Sequence, residues 1–499
     1  MDKPVRAPDT SGLPEASGFK APPISEREKN VIIGGVLLSM LLAALDQAIV
    51  APALPTIGGA LGHAEYLPWI VTAYLLTATA MAPLYGKISD IHGRRPTIYA
   101  AIVIFLAGSV VSALSVNMFM LIAGRAIQGI GGGGLFALTQ TVIGDLVPPR
   151  ERAGYSAWIS GTWAVASVAG PLLGGYFAGH LDWSLIFWIN LPLGAFTMVI
   201  LNNPLKKLSV AARHHRLDAP GAILLVAATA VLLLALNWGG STYPWLSAPI
   251  GGLIALSLIV WAVLFWWLLR TAEPLISLEV LVNPVVRTAT IVLFIVQAVS
   301  IGLSVYLPIY MQLFLHLSVA DSGTALLGLM LGTVAGAMGS GWLVAHVTHY
   351  KRIALIGLLL GTACLGALTL VLHHPSLLAV EILTIGAGIG LGTSLPIATV
   401  SVQNAVDRVH LGVATGLMTF MRSLGGAMGV AAFGAIALGY GLPLGREGTG
   451  TAMAGIGSPT AFGVMFLSGA ACVFVSFLIF VLMPEKPLQG RAERMPTAE

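Results

Sequence analysis

The sequence predicts an all-α membrane protein of fourteen spans, and three observations carry that prediction. The chain of 499 residues is 57% hydrophobic and only 9% charged, against about 25% charged in soluble domains. Its apolar residues come in runs near the length of about 20 that crosses a bilayer as a helix. Its Lys and Arg residues fall in alternate gaps between those runs, as basic residues of cytoplasmic loops do.

The runs fall at residues 31–55, 66–86, 97–115, 118–143, 153–178, 183–202, 219–238, 249–269, 288–315, 322–346, 353–372, 376–403, 411–438 and 460–483. With the N-terminus inside, the inside gaps hold Lys87, Arg94 and Arg95; Arg150 and Arg152; Lys206, Lys207, Arg213 and Arg216; Arg270 and Arg287; Lys351 and Arg352; and Arg408. Lys486, Arg491 and Arg494 follow the last run, and the outside gaps hold Arg446 alone. Both termini are therefore expected in the cytosol, on a multi-pass protein of the cell (inner or plasma) membrane.

Residues 1–30 are polar and Pro-rich, without the apolar core of a cleaved signal peptide, and read as a disordered cytosolic tail. A six-helix half is expected over 31–202, a linker with an extra helix pair over 203–270, a second six-helix half over 271–483, and a second tail over 484–499. A faint repeat supports the halves. "GKISDIHGRRPTI" after the second run and "GWLVAHVTHYKRI" after the tenth both begin with Gly and end in paired basic residues. Parallel six-span repeats place a substrate site between halves near mid-membrane. The net charge of +4 gives no reason to expect nucleic acid. Cys364 and Cys472, both in apolar runs, read as buried small hydrophobes.

Four charges lie inside the runs: Asp46, Arg125, Glu381 and Arg422. Charges within the bilayer face a bundle interior or water cavity, pair with one another and mark ion or proton paths. Asp46 and Arg125 fall in one half, and an acid there can load and release protons or simply tie two helices together. Glu381 lies about two turns from its helix end, so a boundary position competes with a proton or cargo role. Arg422 sits among small residues, where it either anchors packing or faces a cavity. Phe136, Gln140, Trp163, Gln297 and Tyr306 are candidate cavity residues, ahead of Trp69, Tyr74, Trp158 and Tyr310. His346 and His349 read as a loop-end pair, and no metal or cofactor is expected.

Short motifs add to this. Gly86, Asp90, Gly93, Arg94 and Arg95 form a Gly-bounded basic segment after the second run, where glycine allows a tight turn and Arg94 can reach Asp145. "RAIQGIGGGG" begins at Arg125, and "GPLLGG" carries Gly170, Pro171, Gly174 and Gly175. Proline inside a helix removes a backbone hydrogen bond and invites a bend.

These motifs, with "LDQAIVAPALP" of the first run, resemble the major facilitator superfamily, and within it the fourteen-helix drug:proton antiporters of the EmrB/QacA type. Ile91 and Ala166 depart from the usual pattern without removing a charge. The resemblance implies a major facilitator fold of two six-helix halves plus two extra central helices. It implies proton coupling at Asp46 and Arg125, gating by Gly86, Asp90, Gly93, Arg94, Arg95 and Asp145, and a seal at the Gly170–Gly175 motif. It places the partner of Asp90 at the start of the thirteenth span, near Leu411 and Gly412.

The function expected is a proton-driven antiporter exporting drugs or other amphipathic or cationic molecules by alternating access. A dedicated natural cargo such as an antibiotic, amino acid or siderophore is the alternative, and a passive channel or scaffold the third reading. An enzyme is not expected: no nucleophile–base set and no G-x-x-x-x-G-K-[ST] phosphate loop occurs. The partners expected are cargo, protons and the lipid bilayer; a periplasmic adaptor is neither required nor excluded by these residues.

Overall fold

The computed structural model describes residues 24–62, 66–206, 218–240, 242–271, 274–276, 278–317, 319–344, 346–347, 349–372, 376–407, 410–440 and 459–485. Most of both expected tails, and the basic residues Lys207, Arg213, Arg216, Arg408, Arg446, Lys486, Arg491 and Arg494, lie outside them.

Every named element is helical. In chain order they are α1 (Glu26–Ile49), a 3-10 turn (Ala51–Ala53), α2 (Leu54–Leu61), α3 (Leu67–His92), α4 (Arg94–Ala113), α5 (Met118–Leu146) and α6 (Pro149–His180). Then come α7 (Leu185–Trp188), α8 (Asn190–Lys206), α9 (Ala219–Trp238), α10 (Ala248–Arg270), α11 (Leu278–Val282) and α12 (Pro284–Phe314). The chain continues with α13 (Val319–Val344), α14 (Lys351–Val371), α15 (Leu377–Ala405), α16 (Leu411–Gly439) and α17 (Pro459–Leu482).

Several boundaries differ from the sequence reading, each for a local reason. The tail expected to run to residue 30 ends earlier, because Ser25 caps α1 and Glu28 closes a reciprocal capping box. The first run does not continue to 55 as one helix. Pro52 and Pro55 cannot donate backbone hydrogen bonds, so the chain passes through the 3-10 turn into α2. The Gly86–Arg95 segment is not an open loop. α3 carries on through Gly86 to His92, and Gly93 alone turns the chain at φ 90° before α4 begins at Arg94. That φ favours glycine.

Thirteen helices among the described residues are long and apolar enough to span a membrane. α6 is not one of them, although its 32 residues give about 48 Å at 1.5 Å per residue. It opens on Arg150, Glu151 and Arg152 and packs against α1, α13 and α15. Helix neighbours of that kind relieve α6 of a wholly lipid-facing surface.

Two groups of helices pack around a central space. In one, α1 packs on α5, α6 and α8, and α5 on α3 and α4. In the other, α15 packs on α12, α13 and α14, and α12 on α16 and α17. The groups meet where α16 crosses α3 and α5, and where α13 and α15 meet α6. The pair α9–α10 attaches through α9, which packs on α3 and α16. α10 turns Leu258, Val263, Trp266 and Leu269 outward. An apolar outer face of this size suits lipid. The same physics corrects the reading of the cysteines: Cys472 is exposed and Cys364 only half-buried, because a bilayer solvates apolar side chains that water would drive inward.

Candidate functional site

The site is built around one carboxylate. Asp46, in the last turns of α1, is 0% exposed. Arg125 Nη1 donates to its Oδ2 at 2.5 Å. Gln128 Nε2 and Asn190 Nδ2 donate to its Oδ1 at 2.9 and 2.8 Å. Arg125 Nη1 also reaches Gln128 Oε1 at 2.9 Å, and Arg125 Nε donates to the Ile70 carbonyl at 3.2 Å. Gln128 and Asn190 both donate to Ser109 Oγ, at 2.8 and 3.2 Å. One acid therefore ties α1 to α5 and α8, with α4 joined through Ser109. A buried charge persists only when paired and hydrogen-bonded, and this carboxylate has three donors.

The sequence reading brought Asp46 and Arg125 together but missed Gln128, Asn190 and Ser109. Gln128 follows Arg125 by one turn, so helix spacing puts both on one face; that signal was present. Asn190 lies 144 residues from Asp46, and nothing local announces it. Glu381 joins neither this network nor the cavity wall: it is half-buried in the first turns of α15.

A cavity of about 710 Å³ lies between the two groups. Phe136, Gln140, Trp163, Gln297, Tyr306 and Arg422 all line it. Phe136 and Trp163 stack with ring centroids 5.3 Å apart. Of the other aromatics, Trp158 points outward at 66% exposure, and Tyr310 is buried in an aromatic cluster with Phe314, Phe462 and Phe466. Trp69 meets Trp238 edge-on. Tyr74 separates cavity from ion pair: it belongs to the cavity wall, while the Arg125 guanidinium lies over its ring at 4.5 Å.

The cavity also has a contribution that composition gave no hint of. Leu233, Leu236 and Asn237 of α9, with Gly239, Gly240 and Trp245 just beyond it, line the wall. Asn237 Nδ2 donates to Thr72 Oγ1 at 2.9 Å.

The end of the bundle that carries the basic segment is closed by close backbone contact. A Cβ on Gly86 would collide with the Gly412 carbonyl, its carbon 2.8 Å away. Asp90 Oδ2 accepts from Val413 N at 3.1 Å in the first turn of α16, where the helix dipole favours an anion. Arg94, 1% exposed, donates to Asp90 Oδ1 at 2.5 Å, to Ser89 Oγ at 2.6 Å and to Asp145 Oδ2 at 2.7 Å. Arg95 stands apart, donating to Asn202 at 3.0 Å. Arg152, which the motifs did not single out, donates to the Gly144 and Val147 carbonyls and, across the groups, to the Gln403 carbonyl at 3.4 Å.

The helix α6 runs unbroken through Pro171. Gly170 and Gly174 are buried against Ala48 and Ile49 of α1, with no room for a Cβ at either. Gly175 and Pro171 face outward. His346 and His349 bind no common partner: one ring contacts the Trp342 carbonyl, the other Glu485. Among the described residues no group of His, Cys, Asp and Glu could hold a metal.

Two packed groups of membrane helices enclose a central cavity, with a buried ion pair beside it, an arrangement that two-repeat membrane transporters share. The chain belongs to the Major Facilitator Superfamily, whose family model matches residues 36–430. It is 33% identical over 432 residues, 86% of this chain, to an uncharacterized MFS-type transporter of Mycobacterium tuberculosis strain H37Rv, and spans 62% of that relative's length. It is 32% identical to the multidrug transporter protein MdtP of Bacillus subtilis strain 168, over 82% of this chain and 76% of the relative. Among solved structures, the human organic anion transporter MFSD10 superposes with TM-score 0.65 at 18% identity, covering 91% of this chain and 99% of that one. The proton:xylose symporter XylE superposes with TM-score 0.62 at 15% identity, covering 93% and 98%. At those identities the likeness is one of fold. The superfamily relatives are transporters, not enzymes.

Proposed function

We propose that this protein is a proton-driven exporter of amphipathic small molecules in the cell membrane, a fourteen-span antiporter of the EmrB/QacA type with both termini cytosolic. The observation that carries this reading is the fully buried Asp46, held by Arg125, Gln128 and Asn190. The kinship to multidrug transporters such as MdtP supports the cargo class.

Coupling follows from the three faces of one helix. Asp46 faces the ion-pair network. Gln47 and Ala48 line the cavity. Ala48 and Ile49 bear on Gly170 and Gly174 of α6. While Asp46 is charged, three donors tie α1 to α5 and α8. A proton on Asp46 removes the charge that Arg125 neutralises and loosens that tie. α1 then shifts its contact with α6 and the wall of the cavity together. Cargo and proton thus compete through the position of one helix. Each proton entering down 100 mV brings about 2.3 kcal/mol, more than a tenfold cargo gradient at one-to-one exchange.

On this reading Asp90 and the first turn of α16 form the cytosolic gate, and the hydrogen bond from Val413 N to Asp90 supports it. The test is retention of one cationic and one anionic dye in an efflux-deficient host, with and without a protonophore. Extrusion that stops on uncoupling supports the exporter. Flux that ignores the uncoupler argues for a passive pathway.

A further inference from the structure

Resting on the reading that the cavity carries cargo, we infer that its charge preference is for amphipathic organic anions, with Arg422 as the headgroup site. The sequence reading expected drugs or other amphipathic or cationic cargo; the cavity wall favours the anionic members of the amphipathic class.

Among the described residues Arg422 is the one formally charged residue in that wall, and no Asp or Glu of theirs lines it. Its Nε is buried without a hydrogen-bond partner. Among the described residues the ion pairs involve Lys29, Arg94, Arg125 and His349, not Arg422. The contrast with the buried arginines is in their ion pairs: Arg94 bridges two acids and a hydroxyl, although its Nη2 is also unpartnered, and Arg125 holds an acid, an amide and a carbonyl. Arg422 is half-buried in the cavity wall with no acid to pair it, and charges retained within a membrane protein mark substrate and ion paths.

The surroundings suit an anion with an apolar body. Thr419 and Ser423 lie on the same face of α16 as Arg422, and Gln297 stands opposite on α12, 3.8 Å from where a Cβ on Gly426 would sit. Guanidinium presents a planar fork of donors that matches a carboxylate or sulfonate, and such charge-assisted pairs are roughly twice as strong as neutral hydrogen bonds. The Phe136–Trp163 stack supplies ring faces for the apolar part. A cationic head would meet repulsion from Arg422, with ring faces but no acid among the described wall residues to offset it.

The test is equilibrium binding of a matched pair of dyes, a naphthalene sulfonate and a naphthyl trimethylammonium, to the full chain in phosphatidylcholine nanodiscs without any proton gradient. Wild type is expected to bind the sulfonate at least about tenfold more tightly. Arg422→Gln is expected to lose about tenfold or more for the sulfonate and nothing for the ammonium, and Arg422→Lys to fall between. A purely structural Arg422 would move both dyes equally. If Arg422→Gln fails to fold, the wild-type preference still decides the matter. An ammonium preference in wild type, or unchanged sulfonate affinity in Arg422→Gln, overturns the charge assignment and leaves the exporter reading standing. Wild type binding neither dye overturns the cargo reading itself. Adding phosphatidylglycerol separates the two sources of an anionic head: sulfonate binding that disappears only in those discs assigns Arg422 to lipid and overturns the small-cargo inference.

Discussion

Replacing Gly86 by Ala puts a methyl group into the contact that closes the basic end of the bundle. In the native packing the added Cβ would sit 2.8 Å from the Gly412 carbonyl carbon. Carbon–carbon contacts need about 3.5 Å and the Gly412 carbonyl oxygen is nearer still, so α3 and α16 must part by at least roughly 0.7 Å there. The Asp90 Oδ2 to Val413 N hydrogen bond is 3.1 Å long. A separation of that size carries it beyond hydrogen-bonding range. A hydrogen bond to a charged group contributes about 1.5–3 kcal/mol, so the open population at this end should rise roughly ten- to a hundredfold. The assay uses Gln140→Cys, a cavity position on the basic side of α5, in a chain with Cys364 and Cys472 changed to Ala. Alkylation by an impermeant maleimide in inside-out vesicles should accelerate by about tenfold or more in Gly86→Ala. An unchanged labelling rate would show that this backbone contact does not hold the gate and refute the reasoning.

Three further outcomes follow from the same geometry. Arg94→Ala removes the cation shared by Asp90 and Asp145, and because Arg94 is 1% exposed the cost should be that of a broken buried pair, about 3–5 kcal/mol; thermal unfolding in detergent should drop steeply, whereas a value near wild type would return the pair to the 0–1 kcal/mol of surface bridges. Glu381→Gln should leave the order of cargo preference unchanged, since the residue stands off the cavity wall; a selective loss of cationic cargo in transport assays would contradict that placement. A reporter fused after Leu208 should read cytosolic and one after Ser247 external, and the reverse pair would break the proposed fourteen-span map.

Much of this was legible because membrane physics writes on single residues. The apolar runs announced the helices, since a bilayer demands length and forbids unpaired backbone. Asp46 and Arg125 stood out as charges where none is cheap, and the structure brings them together. The basic segment was legible as chemistry but not as shape: Arg94–Asp145 forms as residue types suggest and Asp90–α16 as the family resemblance implies, while the segment itself is mostly helix, broken by one residue at Gly93. Asn190 was illegible because its partner lies 144 residues away and a buried amide has no pattern of its own. The part α9 plays in the cavity was hidden for a different reason. An apolar helix reads alike whether it faces lipid or cargo, and only the packing of Asn237 on Thr72 separates the two. Hydropathy also set Cys472 inside, where a lipid-facing surface does equally well.

The central claim is that proton movement acts through Asp46, and Asp46→Asn measures it directly. Asparagine keeps the shape and one acceptor oxygen, so it can still accept from Gln128 and Asn190 or from Arg125 but not from both sides, and it cannot take up a proton. The purified variant, reconstituted into vesicles with an imposed proton gradient, should insert, fold and bind cargo. It should show neither gradient-driven cargo accumulation nor cargo-induced proton release. Wild-type accumulation against a gradient by Asp46→Asn would contradict the account, leaving Asp46 a structural tie between α1, α5 and α8.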